Sequence, residues 1–565
     1  MNPIKAEVIE LISRHTSIPG AEVSALLETP PNPEMGDYAF PCFILAKREK
    51  KSPAEVAKSI SQKISPTESV QKVIAAGPYL NFYLDPKRFL RSVLTSIEKS
   101  PQEFGSDSWG KGKPIVIDYS SPNIAKPFGI GHLRSTAIGH SLALIFRKLG
   151  HPVVGVNHLG DWGTQFGKLI VAFRRWGIES ALTTDGVKYL STLYTRFHQE
   201  AEKNPKLEDN AREEFRKLEQ GDENNRKLWE RFREISLAEF SQVYAKLDIK
   251  FDSFAGESFY NDRLENVLKT LQEKKLTEVS QEALVVNLDK YDMPPCLIRK
   301  KDEATLYTTR DLAAAIYRHN TYKFYKSLYV VGSAQQLHFN QVFKVLELMD
   351  YDWSKDCVHV DFGWVKFEDQ ILSTRAGHVL LLEEVLDKST KLVAETIQAK
   401  NPELEGRDEV AGMVGIGAVI FAYLSRRRQK DFDFVWEEVL NFERESGPYL
   451  QYTHARLCSL QRKYGQEVSS NIDFNHLDHQ QEFQLAKLLD GFPDTIKAAA
   501  AQYEPHILAA YLIKVAGLFN SYYQNVRVIS DNTSQTAAKM LLVKCTQITL
   551  KEGLRLLGIK SPERM

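Results

Sequence analysis

Cysteine is scarce in this sequence, with five residues among 565, and no two of them have the spacing Cys-x-x-Cys. An odd number of isolated thiols predicts neither a disulfide framework nor a cysteine-based zinc site. We expect reduced thiols that serve mostly as structural side chains, at Cys42, Cys296, Cys357, Cys458 and Cys545.

Long hydrophobic runs are absent too. No apolar stretch has the length that a membrane-spanning helix needs. Residues 1–7 lack the basic start followed by an apolar stretch that marks a secretory signal. These two absences predict a protein that does not enter a membrane and that works in the cytoplasm.

The sequence also lacks an excess of either charge, because 73 basic residues balance 73 acidic ones. An RNA-binding domain usually carries a basic excess, so this balance argues mildly against a nucleic-acid partner. A large enzyme can still hold a local basic track while acidic helices elsewhere cancel the sum. The run Arg-Arg-Arg-Gln-Lys at 426–430 is either such a track or a solvated helix end whose cations complement the helix dipole.

The length of the chain predicts several domains, and the spacing of apolar residues divides it. Alternating strands and helices in the middle of the chain are typical of a mainly parallel sheet with helices on both faces. Strand signals vanish after about residue 400, where amphipathic helices take over. The predicted divisions are an α+β module over 1–110, an α/β domain over 111–400 with a helical insertion near 185–260, a helical connector over 401–440 and an all-α domain over 441–565.

The most informative stretch, residues 120–136, contains a Gly-x-Gly-His turn between a predicted strand and a predicted helix. In such a unit the backbone N–H groups and the dipole of the helix start face an anion, and glycine lets a nucleotide approach the backbone closely. A Gly-His pair alone more often marks a surface turn. The surrounding residues decide between these two interpretations.

Ordered strings throughout the chain closely resemble arginyl-tRNA synthetases, a family of class I aminoacyl-tRNA synthetases. The strings are Ser-Ser-Pro-Asn-Ile-Ala-Lys-Pro at 120–127, Gly-His-Leu-Arg-Ser-Thr at 131–136, Asn-His-Leu-Gly-Asp-Trp-Gly-Thr-Gln-Phe-Gly at 157–167, Tyr-Thr-Thr-Arg-Asp at 307–311, Gln-Gln-Leu-His at 335–338, Leu-Ser-Thr-Arg-Ala-Gly at 372–377, Gly-Pro-Tyr-Leu-Gln-Tyr at 447–452 and Pro-Glu-Arg-Met at 562–565. The resemblance implies a multidomain α/β protein. Its parts would be a class I Rossmann-like parallel-sheet catalytic domain, an α+β N-terminal domain that touches the tRNA elbow, and an all-α C-terminal anticodon-binding domain.

The same resemblance implies ATP-dependent attachment of L-arginine to tRNA(Arg) through an arginyl-adenylate, with release of AMP and pyrophosphate. ATP with Mg²⁺ would be the co-substrate, no protein-bound metal is expected, and a monomer is the family default. The alternative is a non-catalytic RNA-binding relative that kept the fold. Gly129 gives that alternative slight support, because most members of the family have histidine at this place.

The resemblance also implies the residues that handle ATP, which are Gly129, Gly131, His132, Ser373 and Thr374. The loop that ends at Arg375 lacks the two lysines that class I enzymes normally place near the pyrophosphate. The need for positive charge remains, and the resemblance favours Lys126 as the catalytic cation together with His132. Lys126 could instead be an ordinary exposed loop lysine. Arg375 is the reserve candidate for the catalytic cation, and it could instead only anchor its loop.

A site for arginine must hold a guanidinium, which requires carboxylates placed for paired hydrogen bonds. By resemblance these are Asp118 and Asp311, with Tyr307 one helical turn before Asp311. Asp311 could instead cap the start of its helix. Ser121, Asn123 and Gln335 would hold the α-amino and carboxylate end, and which acid meets which end of the substrate stays open. The motif residues His158, Asp161 and Gln165 have no role assigned from the sequence.

Overall fold

The structure, a computed structural model, describes residues 2–30, 32–299, 307–367, 370–371 and 380–565. The chain divides into two units. The first unit contains the residues up to Phe104 together with Arg456–Pro493 and Lys514–Leu550. The second unit contains Gly105–Ala455, Asp494–Ile513 and Lys551–Met565. None of the helices within these described ranges is both long enough and apolar enough to cross a membrane.

The helices, in chain order, are α1 Pro3–His15, α2 Gly20–Leu26, α3 Phe43–Glu49, α4 Pro53–Ser61, α5 Pro86–Lys99, α6 Gly131–Lys148, α7 Thr164–Trp176, α8 Glu179–Lys203, α9 Lys206–Glu219, α10 Glu223–Lys246, α11 Leu264–Glu273, α12 Tyr307–Tyr322, α13 Gln336–Leu348, α14 Leu382–Lys400, α15 Arg407–Leu424, α16 Trp436–Val439, α17 Gly447–Tyr464, α18 Gln480–Asp490, α19 Phe492–Gln502, α20 Pro505–Asn525 and α21 Thr533–Leu556. The strands are β1 Tyr38–Pro41, β2 Val70–Ala76, β3 Tyr79–Leu84, β4 Ile115–Asp118, β5 Val153–Val156, β6 Thr277–Ser280, β7 Ala283–Val286, β8 Cys296–Arg299, β9 Lys326–Tyr329, β10 Cys357–His359, β11 Val365–Phe367, β12 Gln370–Ile371 and β13 Phe432–Phe434.

The first unit combines the N-terminal α+β module with C-terminal helices. Its strands form an antiparallel sheet in the order β1-β3-β2. Local signals set the helix starts, since Ser52 and Glu55 make a capping box at α4 and the Asp85 side chain accepts a hydrogen bond from the Arg88 amide at α5. Helix α5 packs on α18 through an edge-to-face contact between Phe89 and Phe483.

The second unit is built on a four-stranded parallel sheet in the order β10-β9-β4-β5. Strand β4 is buried along its whole length and pairs in parallel with β5 on one side and β9 on the other. The order of the strands across the sheet therefore reverses at β4, because β5 lies on one side of it and β9, which comes later in the chain, lies on the other. In open α/β sheets ligands bind at the carboxyl ends of the strands where the order reverses, which here means the ends of β4 and β9.

One strand after residue 400 corrects a detail of the sequence analysis. Phe432–Phe434 forms β13, which pairs in parallel with β11, although the sequence indicated only helices there. A strand of three residues is too short to show the alternation by which strands are recognised. The predicted fold class itself is confirmed by the parallel sheet, the α+β N-terminal module and the helical C-terminal region.

Candidate active site

The candidate site lies at the carboxyl edge of the parallel sheet. Asp118 is the last residue of β4, and His158 follows β5 by two residues. Gln335 ends a short 3₁₀ turn, Ser333–Gln335, after β9. The sheet thus brings three separate motifs of the sequence to one edge.

The loop after β4 has an unusual backbone. Ser120, Ser121 and Ala125 have φ values of 71°, 47° and 58°, the left-handed region that side chains other than glycine rarely adopt. Hydrogen bonds from the insertion helix α10 hold this loop: the Tyr244 hydroxyl is 2.8 Å from Ser120 Oγ, and Ser236 Oγ accepts from the Ala125 amide at 2.8 Å. Strain of this kind persists where surrounding contacts fix the conformation, and it is common at functional sites.

The Gly-x-Gly-His turn, residues 129–132, opens helix α6. The Ile130 amide donates to the Leu380 carbonyl at 3.0 Å, and the Leu382 amide donates to the Phe128 carbonyl at 2.9 Å. Residues that follow the string 372–377 are therefore hydrogen-bonded to residues at the start of the Gly-x-Gly-His turn. A Cβ placed on Gly131 would meet open space, so a ligand has room above this backbone.

The His132 ring is fixed at the turn. Its Nδ1 lies 3.1 Å from the Gly129 carbonyl, and Phe128 packs against the ring with centroids 5.3 Å apart. A carbonyl only accepts, so the proton belongs on Nδ1. Burial lowers the pKa of His132, the Gly129 carbonyl opposes this, and Lys126 lowers it further. His132 Nε2 donates to an anion only when the ring is protonated.

Lys126 is half-buried in the loop before the turn. Its Nζ lies 5.7 Å from the ring centroid of Tyr194, on insertion helix α8. The predicted catalytic cation is therefore in contact with the insertion as well as electrostatically coupled to His132.

Arg134 is buried in the first turns of α6 and binds four carbonyl groups. Its Nη1 donates to Gly363 at 2.8 Å and Trp364 at 3.0 Å, while Nη2 donates to Arg428 at 2.9 Å and Lys430 at 2.6 Å. Burial lowers the pKa of Arg134 to about 10, so the side chain stays charged near neutral pH. This one guanidinium ties the helix behind the turn to the segments that precede β11 and β13.

The run 426–430 is largely engaged within the second unit. Arg428 forms ion pairs with Asp361 and Glu504, and Arg426 pairs with Glu438 at 3.2 Å. Arg426 also donates to the Ala422 carbonyl near the end of α15, at 3.4 Å. Arg427 is exposed.

Asp311 lies in the second turn of α12, so the alternative that it caps this helix is wrong. Its Oδ2 is 2.6 Å from His338 Nε2, and its Oδ1 is 3.9 Å from His158 Nε2. Tyr307, one turn earlier on the same helix, is 62% exposed. The carboxylate therefore lies between two histidines at the edge of the sheet.

Asp118 is paired inside the protein. Its Oδ2 lies 2.8 Å from Arg318 Nη2, with both side chains buried, and its Oδ1 accepts from Ser121 Oγ at 2.8 Å. Ser121 Oγ also accepts from the His158 amide at 3.2 Å. The negative charge of Asp118 is thus neutralised by Arg318, while Ser121 links this ion pair to the loop that carries His158.

Asn123 and Gln335 are both exposed. Asn123 packs closely on Gly160, where a Cβ would overlap the amide oxygen at 1.8 Å. The two segments also form a parallel bridge. This close approach explains a glycine in the string at 157–167.

Glu257 was not singled out from the sequence. Its Oε2 is buried and has no hydrogen-bond partner in the part of the chain that the structure describes. Burial raises the pKa of Glu257 to about 8, Arg310 lowers it, and Asp311 and Asp161 raise it. The sequence feature that could have indicated Glu257 is its position among the aromatic residues of 254–260, inside an insertion that is otherwise rich in charged residues.

Asp161 organises this part of the site. Its Oδ1 accepts from the Ser258 amide at 2.8 Å, and its Oδ2 accepts from Ser258 Oγ at 2.9 Å and from Arg233 Nε at 3.2 Å. A Cβ on Gly256 would lie 2.7 Å from the same carboxylate. The buried Asp161 therefore holds the segment that carries Glu257 and does not face a ligand.

Three predicted residues, Ser373, Thr374 and Arg375, lie outside the described residues. Within the described ranges no group of three or more His, Cys, Asp or Glu side chains is placed to hold a metal ion.

Comparison with known proteins identifies the family. Three family models match: "tRNA synthetases class I (R), catalytic domain" over residues 94–436, "DALR anticodon binding domain" over 450–565 and "Arginyl tRNA synthetase N terminal domain" over 2–84. The first of these covers more than half of the chain. The chain belongs to the arginyl-tRNA synthetase family.

Similar members of this family match over almost their whole length. The arginine–tRNA ligase of Clostridium botulinum (strain Alaska E43 / Type E3) is 48% identical over 562 residues, which cover 99% of this chain and 100% of that protein. The arginine–tRNA ligase of Halothermothrix orenii is 47% identical over 566 residues, with 100% of both chains covered. The solved arginyl-tRNA synthetase of Thermus thermophilus has a TM-score of 0.84 at 25% identity, covering 99% of this chain and 100% of that one.

The resemblance read from the sequence is thereby confirmed, and so is the class I fold. The predicted domain boundaries stay predictions, as do the roles of the individual site residues in the arginyl-tRNA synthetase reaction.

Proposed function

We propose that this protein attaches L-arginine to tRNA(Arg) through an arginyl-adenylate, consuming ATP and releasing AMP and pyrophosphate. Membership of the arginyl-tRNA synthetase family, at 48% identity to a protein named arginine–tRNA ligase, supports the reaction. The observation in the site that carries it is a pair of acids, Asp311 and Glu257, at the sheet edge where the Gly-x-Gly-His turn also lies.

Activation of arginine consists of attack by its carboxylate on the α-phosphate of ATP, which depends on positioning and on stabilising charge that develops on the phosphates. In this proposal the start of α6, with Gly129, Gly131 and His132, binds the phosphates of ATP. Lys126 meets the charge of the leaving pyrophosphate. Arg375 is the reserve for that role, and Ser373 and Thr374 contribute to the ATP site.

The guanidinium of arginine has five N–H donors and no acceptor, so it needs a set of acceptors. We assign these to Asp311 and Glu257, with Tyr307 adding its ring or hydroxyl. Asp118 remains part of the arginine site, and it acts through Ser121 because Arg318 already neutralises its charge. Asn123, Gln335 and Ser121 hold the α-amino and carboxylate end.

Mg²⁺ would arrive with the phosphates of ATP and neutralise part of their charge. In proteins Mg²⁺ commonly binds through the phosphates of a substrate and water, with few protein ligands. We further propose that the protein is a cytoplasmic monomer. Its N-terminal module would contact the tRNA elbow, and its C-terminal helices would contact the anticodon.

The test is aminoacylation of tRNA(Arg) with radiolabelled arginine, together with arginine-dependent exchange between ATP and pyrophosphate. Family resemblance implies that exchange requires tRNA, so exchange is measured with and without it. The non-catalytic alternative is supported if tRNA binds while neither assay detects activity. Binding of tRNA should weaken as salt rises, because phosphate contacts release counterions.

A further inference from the structure

His158 and Asp311 face each other without a hydrogen bond between them. His158 Nε2 lies 3.9 Å from Asp311 Oδ1, beyond hydrogen-bond distance. The other carboxylate oxygen, Oδ2, is bonded to His338 Nε2 at 2.6 Å. Oδ1 and His158 Nε2 therefore lie close together at the carboxyl edge of the parallel sheet.

The protonation of His158 follows from its second ring nitrogen. His158 Nδ1 lies 3.2 Å from the Ala255 carbonyl, which only accepts, so the proton of the neutral ring belongs on Nδ1. This leaves a lone pair on Nε2, directed at Asp311 Oδ1. Two acceptors therefore lie 3.9 Å apart, and a donor group that reaches both from one side satisfies them.

The ring cannot easily turn away from this position. Its backbone amide donates to Ser121 Oγ at 3.2 Å, and the Tyr260 ring packs on it with centroids 5.7 Å apart. The side chains of His158 and Asp311 are only 14% and 21% exposed. The ionisable groups around the pair are Asp311 and Arg310 on α12, His338 on α13, Glu257 and Tyr260 on the 3₁₀ segment Glu257–Arg263, and the neutralised Asp118–Arg318 pair behind Ser121. Arg310 is electrostatically coupled to both Asp311 and Glu257.

We propose that neutral His158 binds the substrate directly, with Nε2 accepting one guanidinium N–H while Asp311 Oδ1 accepts another. A planar guanidinium presents donors in several directions at fixed angles, which suits two acceptors that diverge from one space. Protonated His158 would instead donate to Asp311 and place a second cation where the substrate cation belongs. Arginine binding is then competitive with protonation of His158. This inference rests on the proposed arginine site.

The first test compares substitutions of His158 at saturating ATP and tRNA. His158→Ala should raise the arginine KM roughly 10- to 100-fold, the scale of a lost hydrogen bond to a charged group, with a much smaller change in kcat. His158→Gln should recover most of that loss, because its amide oxygen reaches the position of Nε2 as an uncharged acceptor. The matched control is His319→Gln on the same helix as Asp311, where the ring stacks on Trp353 outside the pocket. An arginine KM of His158→Ala equal to that of the control would overturn the proposal.

The second test measures how the arginine KM depends on pH. Replacement of a purely structural histidine would not change this dependence. Toward acidic pH the parent arginine KM should rise by up to about tenfold per pH unit, as expected for one competing proton. His158→Gln should flatten this rise, whereas His338→Gln should keep it. Calorimetry in two buffers of different ionisation enthalpy should count fewer protons released from His158→Gln than from the parent when arginine binds, because a proton released by Glu257 is common to both proteins. Equal proton release from both proteins would contradict the role of His158.

The two proposals fail in different ways. If Asp311→Asn raises the arginine KM while the His158 variants behave like the control, the arginine site stands and the role of His158 does not. If the parent protein neither binds nor transfers arginine, the proposed function fails and this inference fails with it.

Discussion

The acids of the proposed arginine site differ in how much negative charge their neighbours leave for a substrate. Asp118 is neutralised by Arg318 at 2.8 Å, and Asp311 shares one oxygen with His338. Glu257 has a buried oxygen without a hydrogen-bond partner among the described residues. Burial raises the pKa of Glu257 to about 8, so a cation that arrives with the substrate would favour ionisation of this carboxyl group.

Asp311→Asn tests the first of these acids. The amide keeps the shape of the side chain but removes the charge facing the guanidinium. We expect kcat/KM for arginine to fall by the equivalent of roughly 2–5 kcal/mol, with little change in the KM for ATP. Steady-state aminoacylation with each substrate varied in turn measures both. Impaired ATP binding with normal use of arginine would show that Asp311 belongs to the other substrate.

Glu257→Gln should stabilise the empty protein and weaken arginine binding. The carboxyl pKa is raised from 4.5 to about 8, so the stability that the neutral form contributes is present below 4.5 and is lost as pH rises through about 8. An uncharged amide avoids that loss, and we expect a gain of roughly 1–3 kcal/mol near pH 8 and no gain near pH 4. The same change removes a charge that the guanidinium needs, so the arginine KM should rise.

Melting temperatures of the empty variant between about pH 4 and pH 9, and its arginine KM, are the measurements. Glu239→Gln is the matched control, because burial also raises the pKa of Glu239, which lies on α10 and accepts from the Val187 amide. It should stabilise the protein without changing arginine use. An unchanged arginine KM in Glu257→Gln would remove Glu257 from the site.

At the scale of elements, single side chains fix segments that are distant in sequence. Arg134 satisfies four carbonyl groups of two segments that precede β11 and β13. Arg134→Lys keeps the charge but replaces the planar fork with one ammonium, which leaves buried carbonyls without a donor. We expect a loss of roughly 2–4 kcal/mol, measured by thermal unfolding. Arg147→Lys, on the exposed side of the same helix, should change stability by about 0.5 kcal/mol or less.

Lys126→Ala tests the loop before the turn. If this cation stabilises the leaving pyrophosphate, kcat should fall by roughly 10²–10³ while the KM values for arginine and ATP change far less. Single-turnover activation measures the step, with Lys168→Ala as a control because Lys168 is paired with Glu208 at 2.8 Å. A near-normal rate in Lys126→Ala and a collapse in Arg375→Ala would transfer the role to Arg375.

The elements were predictable where the signal is local. Strand β4, helix α6 and the turn between them follow from a short apolar run, a helical period and a Gly-His pair within one stretch of sequence. The roles proposed for Glu257 and His158 depend on groups that are distant in the sequence. For His158 these groups are Asp311 and the Ala255 carbonyl. Neither spacing nor periodicity encodes such contacts. The pairing of Asp118 with Arg318 was not predicted for the same reason, because it joins β4 to the far end of α12.

For the whole molecule, the C-terminal helices are shared between the two units. The second unit, which holds the parallel sheet, includes Asp494–Ile513 and Lys551–Met565 as well as the residues before 455. Ser141 on α6 donates to the Leu556 carbonyl at 2.8 Å, and Gln451 donates to the Lys560 carbonyl at 2.7 Å. A chain that ends at residue 440 therefore loses part of the core around its own catalytic sheet.

We expect such a truncation to lose its cooperative thermal transition and its ATP binding together, rather than to remain folded without charging tRNA. The contact that tests this without truncation is the Lys148–Glu552 ion pair, 2.8 Å long, with side chains 6% and 14% exposed. Glu552→Gln leaves a buried ammonium short of its charge partner and should cost about 3–5 kcal/mol. Glu563→Gln is the control, because its side chain is 67% exposed and lies 3.8 Å from Lys551. If Glu552→Gln melts like the control and the truncated chain still binds ATP, the C-terminal helices are dispensable for the fold of the sheet and serve tRNA alone.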